Sequence, residues 1–199
     1  MNNIQFDVVI VGVGGQGTLL ASKVLGRLAL SENLGVKVSE VHGMSQRGGS
    51  VITYVRVGDR VHSPMVALGQ ADYLLSFEVL EAARAAGYLK PEGVAIVNDQ
   101  RILPMPVITG ATQYPEDPLA GLTGCKVEAV DALALAVEAG NQKALNLVLL
   151  GMLSRHLSFT EEDWKRAIAE CVPRKTLEVN LRAFEAGRAC IDSSRKNRG

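Results

Sequence analysis

The hydrophobic pattern of this chain declares itself first between Phe6 and Gly17, FDVVIVGVGGQG. There the unbroken apolar run Val8-Val9-Ile10-Val11 gives way to glycines at positions 12, 14, 15 and 17. A short apolar run bounded by glycine is the pattern of a strand buried on both faces, as in a parallel sheet. From Gln16 to Leu30 the period changes. Leu20, Val24 and Leu28 recur every four residues, with Ala21, Leu25 and Ala29 beside them, forming one apolar stripe of a helix laid on a sheet. The glycines therefore fall at a strand-to-helix turn. Backbone can approach a ligand or a neighbouring chain closely there, and the helix N-terminus offers free N–H groups to an anion.

The same reading carries along the rest of the chain. Asn33-Leu34-Gly35 closes the helix, and Val36 to Val41 alternates as a second strand. After the glycine-rich stretch His42 to Gly49, Ser50 to Val57 is strand-like, with Val51, Thr53, Val55 and Val57 on one face. Gly58-Asp59 reads as a two-residue turn that returns Val61 as a short hairpin partner. Ala71 to Phe77 predicts a fourth strand and Glu78 to Tyr88 a helix. Pro91-Glu92-Gly93 turns the chain into a buried strand, Val94 to Val97. Pro104-Met105-Pro106 leads into Val107-Ile108, Thr109 to Gly124 is loop-like, and Lys126 to Val130 is a last strand. Helices then dominate: Asp131 to Ala139, Gln142 to His156, Trp164 to Cys171 behind a Thr160/Asp163 capping box, and Thr176 to Ile191. The expected fold class is α/β, a Rossmann-like sandwich with a mainly parallel sheet and a C-terminal helical segment. The whole of 1–199 reads as a single domain, with a helical extension over about 131–191.

Composition narrows the function. Lys+Arg and Asp+Glu are equal at 21 each, so the basic excess that nucleic acid or an anionic membrane surface demands is missing. No apolar run is long enough for a membrane span, and Met1 to Gln5 does not open like a secretory leader, so a cytoplasmic protein is expected. Cys125, Cys171 and Cys190 lie far apart without a C-x-x-C pair, too few and too scattered for an iron–sulfur cluster. His42, His62 and His156 have no zinc-type spacing with them.

Gly12, Gly14 and Gly17 fit the dinucleotide pattern G-x-G-x-x-G in its proper context, and Glu40 stands where an acidic ribose ligand belongs. The same glycines serve tight packing equally well. Gly15 and Gln16 add a further glycine and an amide to the turn, and 199 residues leave little room for a separate substrate domain. His42 and Ser45 share a loop, but no third group orients them as a nucleophile pair. The stretch from His42 to Gly49, with Met44, Ser45, Gln46, Arg47 and Gly48, reads better as a contact loop. Arg47 is suited to a bidentate carboxylate or phosphate, or else to an internal ion pair with Glu40 or Glu78.

Three stretches together, VGVGGQG, EVHGMSQRGGSV and SPMVALGQADYLLSFEVLEAAR, resemble the gamma-type subunits of 2-oxoacid:ferredoxin oxidoreductases. The resemblance extends from Phe6 to about Gly187 and takes in Asn141-Gln142-Lys143, Asn146 and Gly151. It implies an accessory subunit, inactive alone, in an enzyme that decarboxylates a 2-oxoacid (indolepyruvate is expected) to an acyl-coenzyme A and reduces ferredoxin. Thiamine diphosphate, magnesium and iron–sulfur clusters are then expected on a large partner subunit. This chain lacks both the Gly-Asp-Gly…Asn-Asn thiamine signature and the cluster cysteines. By the same resemblance Gly12, Gly14, Gly15, Gln16, Gly17 and the loop His42 to Gly49 face the partner's active site or a phosphate group such as that of coenzyme A. No catalytic residue and no metal ligand is assigned to the chain, and ferredoxin is met only through the complex. The competing readings are an autonomous NAD-dependent oxidoreductase and a non-catalytic scaffold whose glycines serve packing alone.

Overall fold

A computed structural model describes residues 4–43 and 48–196, with side chains as far as Cys190. The apolar runs form strands where the pattern places them: β1 (Phe6–Val13), β2 (Gly35–His42), β3 (Ser50–Gly58), β4 (Ala71–Ser76), β5 (Leu89–Asn98) and β6 (Lys126–Val130). Between and after them lie α1 (Thr18–Ser31), α2 (Val79–Ala85), a single turn α3 (Met105–Ile108), α4 (Ala132–Glu138), α5 (Leu145–Leu153), α6 (Glu161–Cys171) and α7 (Leu177–Lys196).

The six strands form one sheet in the order β2-β3-β1-β4-β5-β6. β1, β4, β5 and β6 pair in parallel, whereas β3 is inserted antiparallel between β2 and β1, with Val8 opposite Val55 and Val38 opposite Val55 from the other side. This ordering corrects one expectation. Val61 forms no hairpin strand, because both edges of β3 are already taken and no ladder position remains for it. Pro91-Glu92-Gly93 is likewise not a turn before a strand. It lies inside β5 as an irregularity, where the pairing steps from Ala71–Leu89 to Tyr73–Val94 and Glu92 takes φ 63°.

Alternate residues of the central strands feed two cores. Val8, Ile10, Val55, Leu75 and Ile96 face α1 and the C-terminal helices, where Trp164, Phe184 and Leu147 are fully buried. Val9, Val11, Tyr54, Leu74 and Val97 face α2 on the other side. The C-terminal helices are thus part of the main core and cover one face of the sheet. The capping box at the start of α6 forms as the sequence predicts: the Thr160 hydroxyl accepts from the Asp163 N–H, and the Asp163 carboxylate accepts from the Thr160 N–H. Among the described residues no helix is long and apolar enough to cross a membrane.

Candidate functional site

Strand β1 runs to the right of β3 and to the left of β4. Its connection through α1 leads toward β2, while that of β4 leads through α2 toward β5. The carboxyl ends of β1 and β4 therefore form the topological switch point of the sheet, the place where such folds hold ligands. Residues 12–17 sit there. Gly12 is at the crowded centre: a β-carbon on it would stand 2.9 Å from both the Gln16 side-chain oxygen and Phe77 Cβ. Gly17 caps α1 in the left-handed region at φ 92°, which ends the turn and starts the helix in one residue.

Gln16 has a definite task in this turn. Its Oε1 accepts from the Val13 N–H at 2.7 Å, and its Nε2 donates to the Phe77 carbonyl at 3.0 Å and to Gln100 Oε1 at 3.4 Å. One carboxamide thereby ties the end of β1 to the end of β4 and fills the crevice between them. Asn98 extends the network, donating to the same Phe77 carbonyl and to Gln100 Oε1 while accepting from the first N–H of α4. Neither Asn98 nor Gln100 is marked by any sequence motif; the sheet register alone brings them here.

The second glycine stretch docks onto the first. Gly14 N–H donates to the Gly49 carbonyl at 2.8 Å, and Gly48 N–H donates back to the Gly14 carbonyl at 3.4 Å. A cleft of about 430 Å³ opens beside them, lined by Gly14, Gly15, Gly17, Thr18, Glu40, His42 and Val51, with Leu19 at its rim. The structure thus brings the glycine turn, His42 and Glu40 to one place. Glu40 accepts from the Thr53 hydroxyl at 3.2 Å across the β2–β3 ladder. Met44, Ser45, Gln46 and Arg47 lie outside the described residues. Of the two carboxylates weighed as partners for Arg47, Glu78 is buried and holds the Glu81 N–H, the Ile102 N–H and the Tyr114 hydroxyl. Burial first, and then the bond to Glu78, push the Tyr114 hydroxyl well above the ordinary tyrosine range.

On the other side of the Gly48–Gly49 backbone a second cleft of about 490 Å³ lies between α2 and the segment before and through α3. Leu103, Met105 and Ile108 stand exposed along it, and Ser50 donates to the buried Glu81 at its base. No group of three His, Cys, Asp or Glu side chains suited to a metal converges among the described residues. The three cysteines are free thiols, and burial pushes each of them up, so they stay protonated at neutral pH.

The family model for pyruvate ferredoxin/flavodoxin oxidoreductase matches residues 7–190. The chain belongs to the pyruvate ferredoxin/flavodoxin oxidoreductase family. Within that family it is 47% identical over 190 residues to the indolepyruvate oxidoreductase subunit IorB of Thermococcus kodakarensis, a match covering 92% of this chain and 94% of that protein. Its fold is shared with the gamma subunit of a keto/oxoacid ferredoxin oxidoreductase from Geobacter sulfurreducens, at TM-score 0.71 and 22% identity, covering 94% of this chain and 99% of the other. It is shared also with 2-oxoglutarate:ferredoxin oxidoreductase from Magnetococcus marinus, at TM-score 0.73 and 18% identity. There the match takes in 97% of this chain but 32% of the other, so the same fold is one part of a longer chain. The oxidoreductase family expected from the three sequence stretches is therefore the family the chain belongs to.

Proposed function

We propose that this chain is the accessory subunit of an indolepyruvate:ferredoxin oxidoreductase. In that reading a large partner subunit supplies thiamine diphosphate, magnesium and iron–sulfur clusters, and ferredoxin is reduced through the complex. The carrying observation is the near full-length identity of 47% to a protein named as an indolepyruvate oxidoreductase subunit. The part left to this chain is positional. A rigid glycine turn, pinned by Gln16 to the sheet and by Gly48 and Gly49 to the next loop, presents backbone N–H groups at a cleft edge. This suits a phosphate group such as that of coenzyme A. The exposed Leu103, Met105 and Ile108 beside it give the same face an apolar character fitted to a partner chain.

The test is reconstitution. The purified chain is mixed with a candidate large thiamine- and cluster-bearing subunit, and coenzyme A-dependent reduction of ferredoxin or a viologen dye is followed with indolepyruvate and with pyruvate. Activity in the mixture alone, with indolepyruvate preferred, is the expected result. No complex and no activity in the mixture overturns the reading.

A further inference from the structure

The two edges of the sheet are built differently. β6 is 5 residues long and carries the paired charges Lys126 and Glu128, as edges left to water do. β2, at the other edge, is 8 residues long and keeps an unbroken antiparallel register with β3 from Gly35 to His42, with no proline and no bulge. Alternate residues of such a strand turn their N–H and C=O groups away from the sheet. Among the described residues nothing pairs with that outer row. A cleft of about 490 Å³ lies beside this edge, over the outer face of α1. Leu19, Lys23, Gly26, Arg27 and Leu30 line it together with Val38 of β2. Leu19, Leu30 and Val38 are exposed there. A β-carbon on Gly26 would meet nothing within 4 Å, so no contact inside this chain asks for a glycine in the middle of the helix. The cleft also carries excess positive charge: Lys23 and Arg27 face the single carboxylate of Glu170. Arg27 reaches that carboxylate only at 3.7 Å, with both side chains about half exposed, and Lys23 has no ion-pair partner among the described residues.

This charge decides between occupants. A second copy, paired strand to strand about a two-fold axis, would lay one α1 beside the other and set Lys23 and Arg27 against their own equivalents. Like charges meeting without an added carboxylate oppose that contact. We infer that the open edge of β2 and the outer face of α1 hold an extended segment of a partner chain, added to the six-stranded sheet as a further strand. Apolar side chains of that segment cover Leu19, Leu30 and Val38, and a carboxylate meets Lys23. Main-chain pairing along β2 supplies the affinity, and the charge selects the partner. Gly26 leaves room for the segment to lie close to the helix. The inference rests on the accessory-subunit reading, in which the partner is the large subunit, and it names a surface by which that subunit is held.

The test compares the free full chain with its complex with the candidate large subunit, by hydrogen exchange over residues 35–42. The outward-facing amides of β2 are expected to exchange at least tenfold more slowly in the complex. Val38→Lys puts on the strand a residue that natural edges carry, and Lys23→Glu reverses the charge at an exposed helix position. Each is expected to weaken assembly at least tenfold, with circular dichroism showing both variants folded. Added salt should weaken assembly of the parent more than that of Lys23→Gln. A complex whose exchange over 35–42 is unchanged, or one that folded Lys23→Glu forms with undiminished affinity, overturns the inference and leaves the accessory-subunit reading standing. Failure to form any complex overturns both. A dimer of the chain alone that Val38→Lys disperses also overturns the inference, because the occupant is then a second copy. If Val38→Lys fails to fold, Lys23→Glu decides alone.

Discussion

Gln16 donates through Nε2 to the carbonyl of Phe77 at 3.0 Å, so a residue of the glycine turn that follows β1 ties it to the end of β4, a strand remote in sequence. The opposite end of the same carboxamide holds the Val13 N–H. Replacement by leucine keeps the bulk and removes these bonds, leaving the Val13 N–H without its acceptor in a half-buried place while the Phe77 carbonyl keeps only its bond from Asn98. We expect Gln16→Leu to cost about 1–2 kcal/mol in urea unfolding. A loss under about 0.5 kcal/mol would show that water replaces the amide freely and that the turn is not pinned from this side.

Helices α5 and α7 approach so closely that backbone meets backbone. A β-carbon on Gly187 would stand 2.0 Å from the Val148 carbonyl oxygen, and one on Gly151 would stand 2.1 Å from that of Phe184. Neither obstacle is a side chain that swings aside, so the helices must separate and the packing around the fully buried Trp164 and Phe184 must loosen. Gly187→Ala is expected to destabilise by on the order of 3 kcal/mol. Gly26, on α1 with open space about it, is the control: there alanine should stabilise by about 0.5–1 kcal/mol through helix propensity. Chemical denaturation of the two variants side by side checks both signs.

These contacts mark where sequence reading stops. The strands at Val8–Val11 and Val94–Val97 are legible because burial on both faces leaves an unbroken apolar run, and the Thr160 cap is legible because its partner is three residues away. The direction of β3 is not. An alternating pattern serves a parallel or an antiparallel neighbour alike, and only the tertiary pairing reveals that β3 lies between β2 and β1 and leaves Val61 nothing to pair with. The site divides in the same way. Gly12, Gly14 and Gly17 announce themselves by spacing, whereas Asn98, Gln100 and Asn146 reach the turn from far along the chain through sheet register and helix packing. Gln16 is visible as an addition to the motif, but its role as a tie between strands is visible only in three dimensions.

Acid should act through Glu128. It lies on β6 with its carboxylate against His156 Nε2 at 3.2 Å and paired with Lys126. Burial alone would raise its pKa, but the bonds from His156 and Lys126 outweigh that and hold it at about 2, against an ordinary value of 4.5. A folded-state value below the unfolded one means stability that is present above pH 4.5 and is lost as pH falls toward 2. Glu128→Gln should therefore be less stable than the parent at pH 7, by up to about 3 kcal/mol. The gap should shrink as the pH approaches 2. Unfolding midpoints at several pH values give the comparison, and a gap independent of pH would remove the ion pairs as its cause.

Gly15 separates the demands of folding from those of function. Its φ of 105° lies where side chains are strained, but a β-carbon there would meet nothing within 4 Å, because the position opens onto the cleft beside Gly14 and Gly17. Gly15→Ala should thus cost only about 1–2 kcal/mol of backbone strain and leave the sheet and both cores intact. The methyl group, however, projects into the cleft at the turn, where the Gly15 and Gly17 N–H groups meet no protein acceptor among the described residues. In the reconstituted oxidoreductase the variant should assemble with its partner at near-normal affinity while its kcat/KM for coenzyme A falls at least tenfold. If assembly fails and activity per assembled complex is unchanged, the turn meets the partner chain and not a small ligand. If both are unchanged, the turn serves packing alone, and the open cleft has no part in the reaction.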